Sequence, residues 1–218
     1  MTAPHVEQAF RDFVLDPAFP CLAGKGLVNA RGYDIESYGV LGSRRATTKL
    51  AAGLGRFVRE APAGASGFRA HVAVFTETPA CNEQEFEARL WQQLERLDVD
   101  FGGDAPWAEG TSDDPDDPMF AFSFAGKALF VVGLHPASSR MARRFRWTTL
   151  VFNPHEQFER LRAEGRYGRL KEHVRERDVA LQGSLNPNLA DFGEQSEARQ
   201  YSGRATEGEW QCPFHRNR

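Results

Sequence analysis

The chain has 218 residues, with 27 basic side chains against 30 acidic ones and a formal net charge of -3. It has no basic excess to suggest nucleic acid or an anionic membrane surface, so its expected partner is a small molecule or, as a homodimer, another copy of itself. The start, MTAPHVEQAFRDF, lacks a basic segment followed by an apolar one, and no apolar run approaches bilayer length; a cytoplasmic protein without membrane insertion is expected.

A chain of this length suits one α/β or α+β domain over residues 1–218. Val6, Phe10 and Phe13 recur at helical spacing, so residues 4–15 read as an amphipathic helix ending before Asp16-Pro17. FPCLAGKG then reads as a loop. From Ser43 to about Glu60, Leu50, Leu54 and Phe57 share one helical face, with Ser43 able to cap it. APAGASG breaks the chain before FRAHVAVFT (68–76), whose β-branched and aromatic residues predict a strand.

Asn82 and Glu85 match a capping box that opens a helix to about Leu97, with Phe86, Leu90, Leu94 and Leu97 as its buried stripe. The stretch from Gly102 to Pro118, rich in aspartate, glycine and proline, reads as a solvated loop. MFAFSF and ALFVVGL flank Ala125-Gly126-Lys127 as a hairpin, and WTTLVF adds a strand ending at Asn153. Asn153, Pro154 and Glu156 stand at N-cap, N1 and N3 spacing for a helix within FNPHEQFERLR, and a second helix is predicted over 168–177. The strands are joined by short turns, which points to an α+β fold: a mixed, mostly antiparallel sheet with packed helices.

Several residues are candidates for chemistry. A strongly apolar strand delivers His135 into the loop GLHPASSR, where a neutral imidazole can ligate a transition metal or haem iron; the plainer alternative is a ring bonded to the loop backbone. Arg140, Arg143, Arg144 and Arg146 crowd together and could clasp carboxylates, or simply form a solvated face. His155 falls in a helical first turn, where the dipole favours its neutral form. Cys21 and Cys212 could supply a thiolate, although free cysteines are more often inert and buried. The three cysteines form neither a disulfide framework nor a paired zinc motif, and Cys212 with His215 lacks a second close ligand pair. Asp178, Asp191, Glu194 and Glu197 could meet a cationic guanidinium. The 17 phenylalanines can line a large apolar cavity or fill the core. No serine-hydrolase elbow, zincin helix, Walker loop or dinucleotide fingerprint is present.

Four blocks, FAFSFAGKALFVVGLHPASSRMARRF (120–145), TLVFNPHEQFERLR (149–162), RERDVALQGSLNP (175–187) and SEARQYSGR (196–204), with FPC near the start and CPF near the end, resemble the YqcI/YcgG family. That resemblance implies a haem b protein similar to the haem-dependent enzymes that hydroxylate guanidine nitrogens of arginine or related molecules, fed by an external electron donor. It carries His135, Ser138, Ser139, Arg140, Arg143, Arg144, Asn153, His155, Gln157, Glu197, Arg199, Tyr201 and Arg204 into the candidate site. The axial ligand is not fixed by the resemblance. We expect His135 to take that place, with His155 and Cys21 as rivals, the arginines and Ser138 and Ser139 around the cofactor, and Glu197, Glu194 or Asp191 holding the guanidinium. A haem carrier or sensor without turnover is the alternative, and a structural zinc module a remoter one.

Overall fold

The computed structural model describes residues 3–60, 67–103, 105–206, 208 and 210–214. Five strands form one sheet in the order β1-β2-β5-β4-β3: β1 (Tyr33–Tyr38), β2 (Ala70–Phe75), β3 (Ser123–Phe124), β4 (Lys127–Leu134) and β5 (Thr148–Pro154). β1 and β2 run parallel and the other neighbours antiparallel, so the fold is α+β with a mixed, mostly antiparallel sheet. The β3–β4 turn places Ala125 at φ 50 and Gly126 at φ 75, the left-handed pair that a two-residue hairpin requires.

Two helices cover one face. α3 (Arg44–Arg59) is capped by Ser43, whose hydroxyl accepts from the Ala46 amide at 3.3 Å, and it buries Leu50, Leu54 and Phe57. α4 (Glu83–Phe101) opens on the expected box: the Glu85 amide donates to Asn82 Oδ1 at 2.9 Å and the Asn82 amide to Glu85 Oε2 at 3.3 Å. Phe86, Leu90, Leu94 and Leu97 are fully buried against Val131, Leu150 and Phe152. On the opposite face α1 (Ala3–Leu15) lays Val6, Phe10 and Val14 over Val72, Val74 and Val151.

Several elements differ from expectation. FPCLAGKG is not a loop: α2 (Leu22–Asn29) begins there, capped by Cys21 and burying Leu27 and Val28. Two glycines in eight residues masked its helical pattern. β1 went unforeseen because YDIESY is polar, as befits an edge strand with one parallel neighbour. The first hairpin strand is only Ser123–Phe124, since Phe122 lends its amide to the Tyr201 hydroxyl at 3.0 Å. Asn153 is not a cap. β5 continues to Pro154, and the Asn153 amide donates to the carbonyls of Phe130 and Val151, both at 3.2 Å. α5 (Glu156–Ala163) starts one residue after His155; α6 (Tyr167–Gln182) outruns its predicted end and stops at Gly183 with φ 78. α7 (Ala198–Tyr201) is a single turn. The region from Gly102 to Pro118 is irregular, as expected, and the break at APAGASG falls almost wholly outside the described residues. Among the described residues no helix is long and apolar enough to cross a membrane.

His71 sits on β2 beneath α3, fully buried, with Nε2 2.9 Å from the Tyr38 hydroxyl and rings of Phe57 and Phe152 alongside. Burial draws its pKa down to about 4. The unfolded chain therefore takes up a proton near pH 6.5 that the folded chain refuses until about pH 4, so stability falls as pH drops through that window. His71→Gln keeps a hydrogen-bonding group and removes the titration. Urea unfolding at pH 7 and pH 5 should show the wild type losing stability more steeply than the variant, by a slope of about 1.4 kcal/mol per pH unit.

Candidate functional site

A cavity of about 320 Å³ lies between α1, α2, α5, α6 and the face of the sheet opposite α3 and α4. Its walls carry six phenylalanines, Phe10, Phe13, Phe19, Phe68, Phe130 and Phe158. Strand alternation supplies its floor: Phe130, Val132 and Leu134 of β4 point into it, while Leu129 and Val131 point to the α3–α4 core. The volume stands near the lower end of small-molecule sites, which run roughly 300–1,000 Å³.

Cys21 lies on the cavity wall at the start of α2. Its sulfur accepts from the Gly24 amide at 3.3 Å. Burial pushes the thiol pKa up, opposed by the backbone amides of Gly24 and Ala23 and by the charge of Arg143. Arg140 and Asp178 also line the cavity and form a buried ion pair, with Arg140 additionally donating to Ser184 Oγ at 3.2 Å and to the Ser184 carbonyl at 2.7 Å. The Arg143 guanidinium reaches the same space. It donates to the carbonyls of Gly133 at 3.0 Å, Tyr201 at 3.3 Å and Gln200 at 3.2 Å, and among the described residues to no carboxylate. Arg175 of α6 lines the wall half-buried, without a hydrogen bond or ion pair among the described residues. Asn153 and Gln157 add amides, Gln157 accepting from the Arg69 amide at 2.9 Å.

The other expected residues lie elsewhere. His135 continues the odd-numbered side of β4, so the sheet separates it from the cavity; it stacks on Phe86 with ring centroids 4.3 Å apart. Both of its ring nitrogens are buried without partners among the described residues, and burial lowers its pKa. Ser138, Ser139 and Arg144 stitch the loop after it. Ser139 donates its amide and hydroxyl to Glu83 Oε1 at 2.9 and 2.8 Å, the Ser138 hydroxyl accepts from the Arg140 amide at 3.3 Å, and Arg144 Nε donates to the Ser138 carbonyl at 2.9 Å. Arg146 stacks over Trp147.

The three acids expected to hold a guanidinium are also engaged away from the cavity. Asp191 pairs with Lys171 at 2.6 Å and exposed Glu194 accepts from the Asp191 amide at 3.3 Å. Glu197 is buried, 3.3 Å from His155 Nε2, and takes the Tyr201 hydroxyl at 2.5 Å. Burial pushes the Glu197 pKa up against the pull of His155 and Tyr201. His155 opens onto a separate, more polar pocket of about 290 Å³ beside Glu109, Glu156 and Glu159. Of the remaining motif residues, Arg199 donates to the Trp210 carbonyl at 3.1 Å and Arg204 pairs with Glu87 at 2.6 Å.

Among the described residues no three His, Cys, Asp or Glu side chains group as metal ligands. Cys212 is buried in the aromatic core, and the His215 of the zinc alternative lies outside the described residues. Cys21, Arg140, Arg143, Asn153 and Gln157 are thus the sequence candidates that meet at one cavity. Asp178 was noted only as one acid among four, and Arg175 was missed. Their three-residue helical spacing, which sets both on one side of α6, was the available signal.

Comparison with known proteins agrees with the sequence resemblance. The profile of the YqcI/YcgG family matches residues 10–215. The Uncharacterized protein YqcI of Bacillus subtilis (strain 168) is 31% identical over 137 residues, covering 60% of this chain and 53% of the relative. The matched segment therefore spans about half of that relative's length. No solved structure matches the chain.

The Arg140–Asp178 pair gives a direct test of the cavity wall. Asp178→Asn leaves the Arg140 charge buried without its counter-ion, and we expect a loss of about 3 kcal/mol in urea unfolding. The double change Arg140→Leu with Asp178→Leu should recover most of that loss, because it removes both desolvated charges.

Proposed function

The chain belongs to the YqcI/YcgG family, and from that premise we propose that it is a haem-dependent oxygenase that hydroxylates a guanidine nitrogen of arginine or a related small molecule. The observation that carries the reading is the placing of the Cys21 thiol on the wall of a phenylalanine-lined cavity that also bears arginines. A porphyrin asks for a flat apolar enclosure, an iron ligand facing it and cations for its acidic edge. The lining supplies apolar surface, a thiol and arginines.

Cys21 is the iron ligand in this reading in place of His135, which is on the far side of the sheet, or His155, which opens on the other pocket. A haem iron bound to a thiolate supplies oxygen activation, since the electron-rich sulfur favours O–O cleavage. Cys21 would give up its proton on binding, the metal charge overcoming the burial that otherwise keeps the thiol neutral. The Gly24 amide at 3.3 Å would then stabilise the sulfur's charge. The phenylalanine walls keep water from the reacting atoms. A guanidinium entering the cavity would meet Asp178, the acid on its wall, and would have to share that carboxylate with Arg140 to be held there.

A porphyrin is larger than the closed volume, so loading would part the α1–α2 segment from α6. Arg177 joins them, donating to the carbonyls of Pro17 at 2.5 Å and Phe19 at 3.1 Å. Electrons would come from an external donor, consistent with a cytoplasmic setting. The second reading is a haem carrier or sensor, and it draws support from the engagement of the three expected acids outside the cavity.

Protein produced with added haem precursor should be red, with a ferrous-carbonyl Soret band shifted as thiolate ligation requires. Cys21→Ser should lose that shift and His135→Ala should keep it; the opposite pattern returns the ligand to His135. Hydroxylated arginine, detected by mass spectrometry after incubation with reductant and O₂, separates the oxygenase from the carrier. A normal Soret band with no product from arginine or other guanidines decides for the carrier.

A further inference from the structure

The net charge of -3 conceals a strongly basic ridge on the other side of the sheet from the cavity. α3 reads RRATTKLAAGLGRFVR, with five basic residues and no acidic one. Arg45, Lys49, Ala52, Arg56 and Arg59 follow one another in steps of four, three, four and three, so they form a single exposed line along the helix. At the helical rise per residue that line is about 21 Å long. The protein's own acids leave most of it uncompensated. Among the described residues Arg56 pairs with Glu36 at 2.5 Å and Lys49 donates to the Ser37 carbonyl at 2.7 Å, while the side chains of Arg44, Arg45 and Arg59 enter no ion pair or hydrogen bond. Arg44 and Arg45 moreover stand in the first turn of α3, where no acid accompanies them and the positive end of the helix dipole repels them. Their placing costs helix stability, and a counter-charge from outside the chain offsets that cost.

The surroundings narrow the kind of partner. α3 packs on β1, which carries Asp34 and Glu36 at the edge of the sheet, and beside α4, which carries Glu95 and Asp98. The basic strip is therefore one helix wide, with acids along both sides. A membrane surface or a nucleic-acid duplex spreads its negative charge over a broader area and would meet those acids too. The uncharged members of the exposed face are Thr48 and Ala52, which offer neither bulk to enter lipid nor a ring to stack on a base. We infer that the outer face of α3 docks an acidic segment of a partner protein, whose carboxylates pair with Arg44, Arg45, Lys49 and Arg59. The sheet separates this face from the cavity, so the inference is independent of the haem reading.

Fluorescence anisotropy of a labelled polyglutamate peptide of about ten residues, whose extended reach exceeds the line, tests this on the full chain. In about 0.1 M salt, where charges more than about 10 Å apart are largely screened, the peptide should bind, and more salt should weaken it. Arg44→Glu with Arg45→Glu should bind about tenfold more weakly and yet melt at a higher temperature than the wild type, because the new acids suit the dipole. Arg59→Gln, at the far end of the line, should weaken the peptide about threefold. Arg166→Glu with Arg169→Glu makes the same change in net charge on the opposite face and should stay within about twofold of the wild type. Absence of peptide binding, or equal weakening by the pair on α6, overturns the inference. So does tighter binding of a duplex oligonucleotide or of phosphatidylserine vesicles than of the peptide. A dimer in sedimentation that Arg44→Glu with Arg45→Glu abolishes gives the face to a second copy of the chain, and overturns it likewise.

Discussion

The alternation of side chains along β4 and β5 governs what this fold can bring together. Both strands are central, with helices on each face, so every step along them moves a residue from one environment to the other. Leu129 and Val131 complete the α3–α4 core, and Phe130, Val132 and Leu134 floor the cavity. On β5, Leu150 and Phe152 take the first side and Val151 and Asn153 the second. A one-residue slip would exchange the packed core for the cavity wall. Gly133 helps to hold the register. A Cβ there would come within 2.7 Å of Phe86 and 2.8 Å of the Tyr201 carbonyl, so only glycine lets α4 and the Tyr201 turn close over the strand.

Once the register is fixed, the arginine-rich turn after β4 divides its duties by geometry. Ser138, Ser139 and Arg144 spend their hydrogen bonds on the turn and on Glu83 at the start of α4. Arg140 crosses to α6 and meets Asp178, while Arg143 reaches under the turn of α7 to the Gln200 and Tyr201 carbonyls. Both thereby tie the strand end to segments far along the chain, and both end at the cavity. Four arginines close together in sequence thus do four different things.

This division explains how much was legible beforehand. The Asn82–Glu85 box and the stripe from Phe86 to Leu97 identify α4, and Ser43 with Leu50, Leu54 and Phe57 identifies α3, because local capping and helical spacing suffice. The Ala125–Gly126 turn marks the hairpin for the same reason. α2 and β1 escaped because neither has a local pattern of its own: one is glycine-rich, the other a polar edge. The site was harder. Sequence shows that His135 shares a side with Val131 and Gly133, but not which side of the sheet is hollow. Spacing brings Asp191, Glu194 and Glu197 together as a set of acids, whereas Lys171, the Asp191 amide and His155 had already engaged them. Their partners come from other elements or from backbone, and no sequence spacing announces them.

Opposing influences act on the Cys21 thiol at the cavity wall. A cysteine in apolar surroundings is ordinarily a neutral, inert thiol, and burial acts on this one in that direction. The start of α2 acts the other way: the Gly24 amide bonds to the sulfur, the first turn aims its dipole there, and Arg143 adds a positive field. Burial is the stronger of the two influences, so the thiol pKa stays above its ordinary value. A fully solvated thiolate would be open to unwanted oxidation, and a cysteine buried without these donors would bind a metal poorly. The short helix that the glycines concealed from sequence reasoning is therefore the element that sets Cys21 apart from an ordinary buried thiol, because its first turn brings the Gly24 amide to the sulfur at the cavity wall.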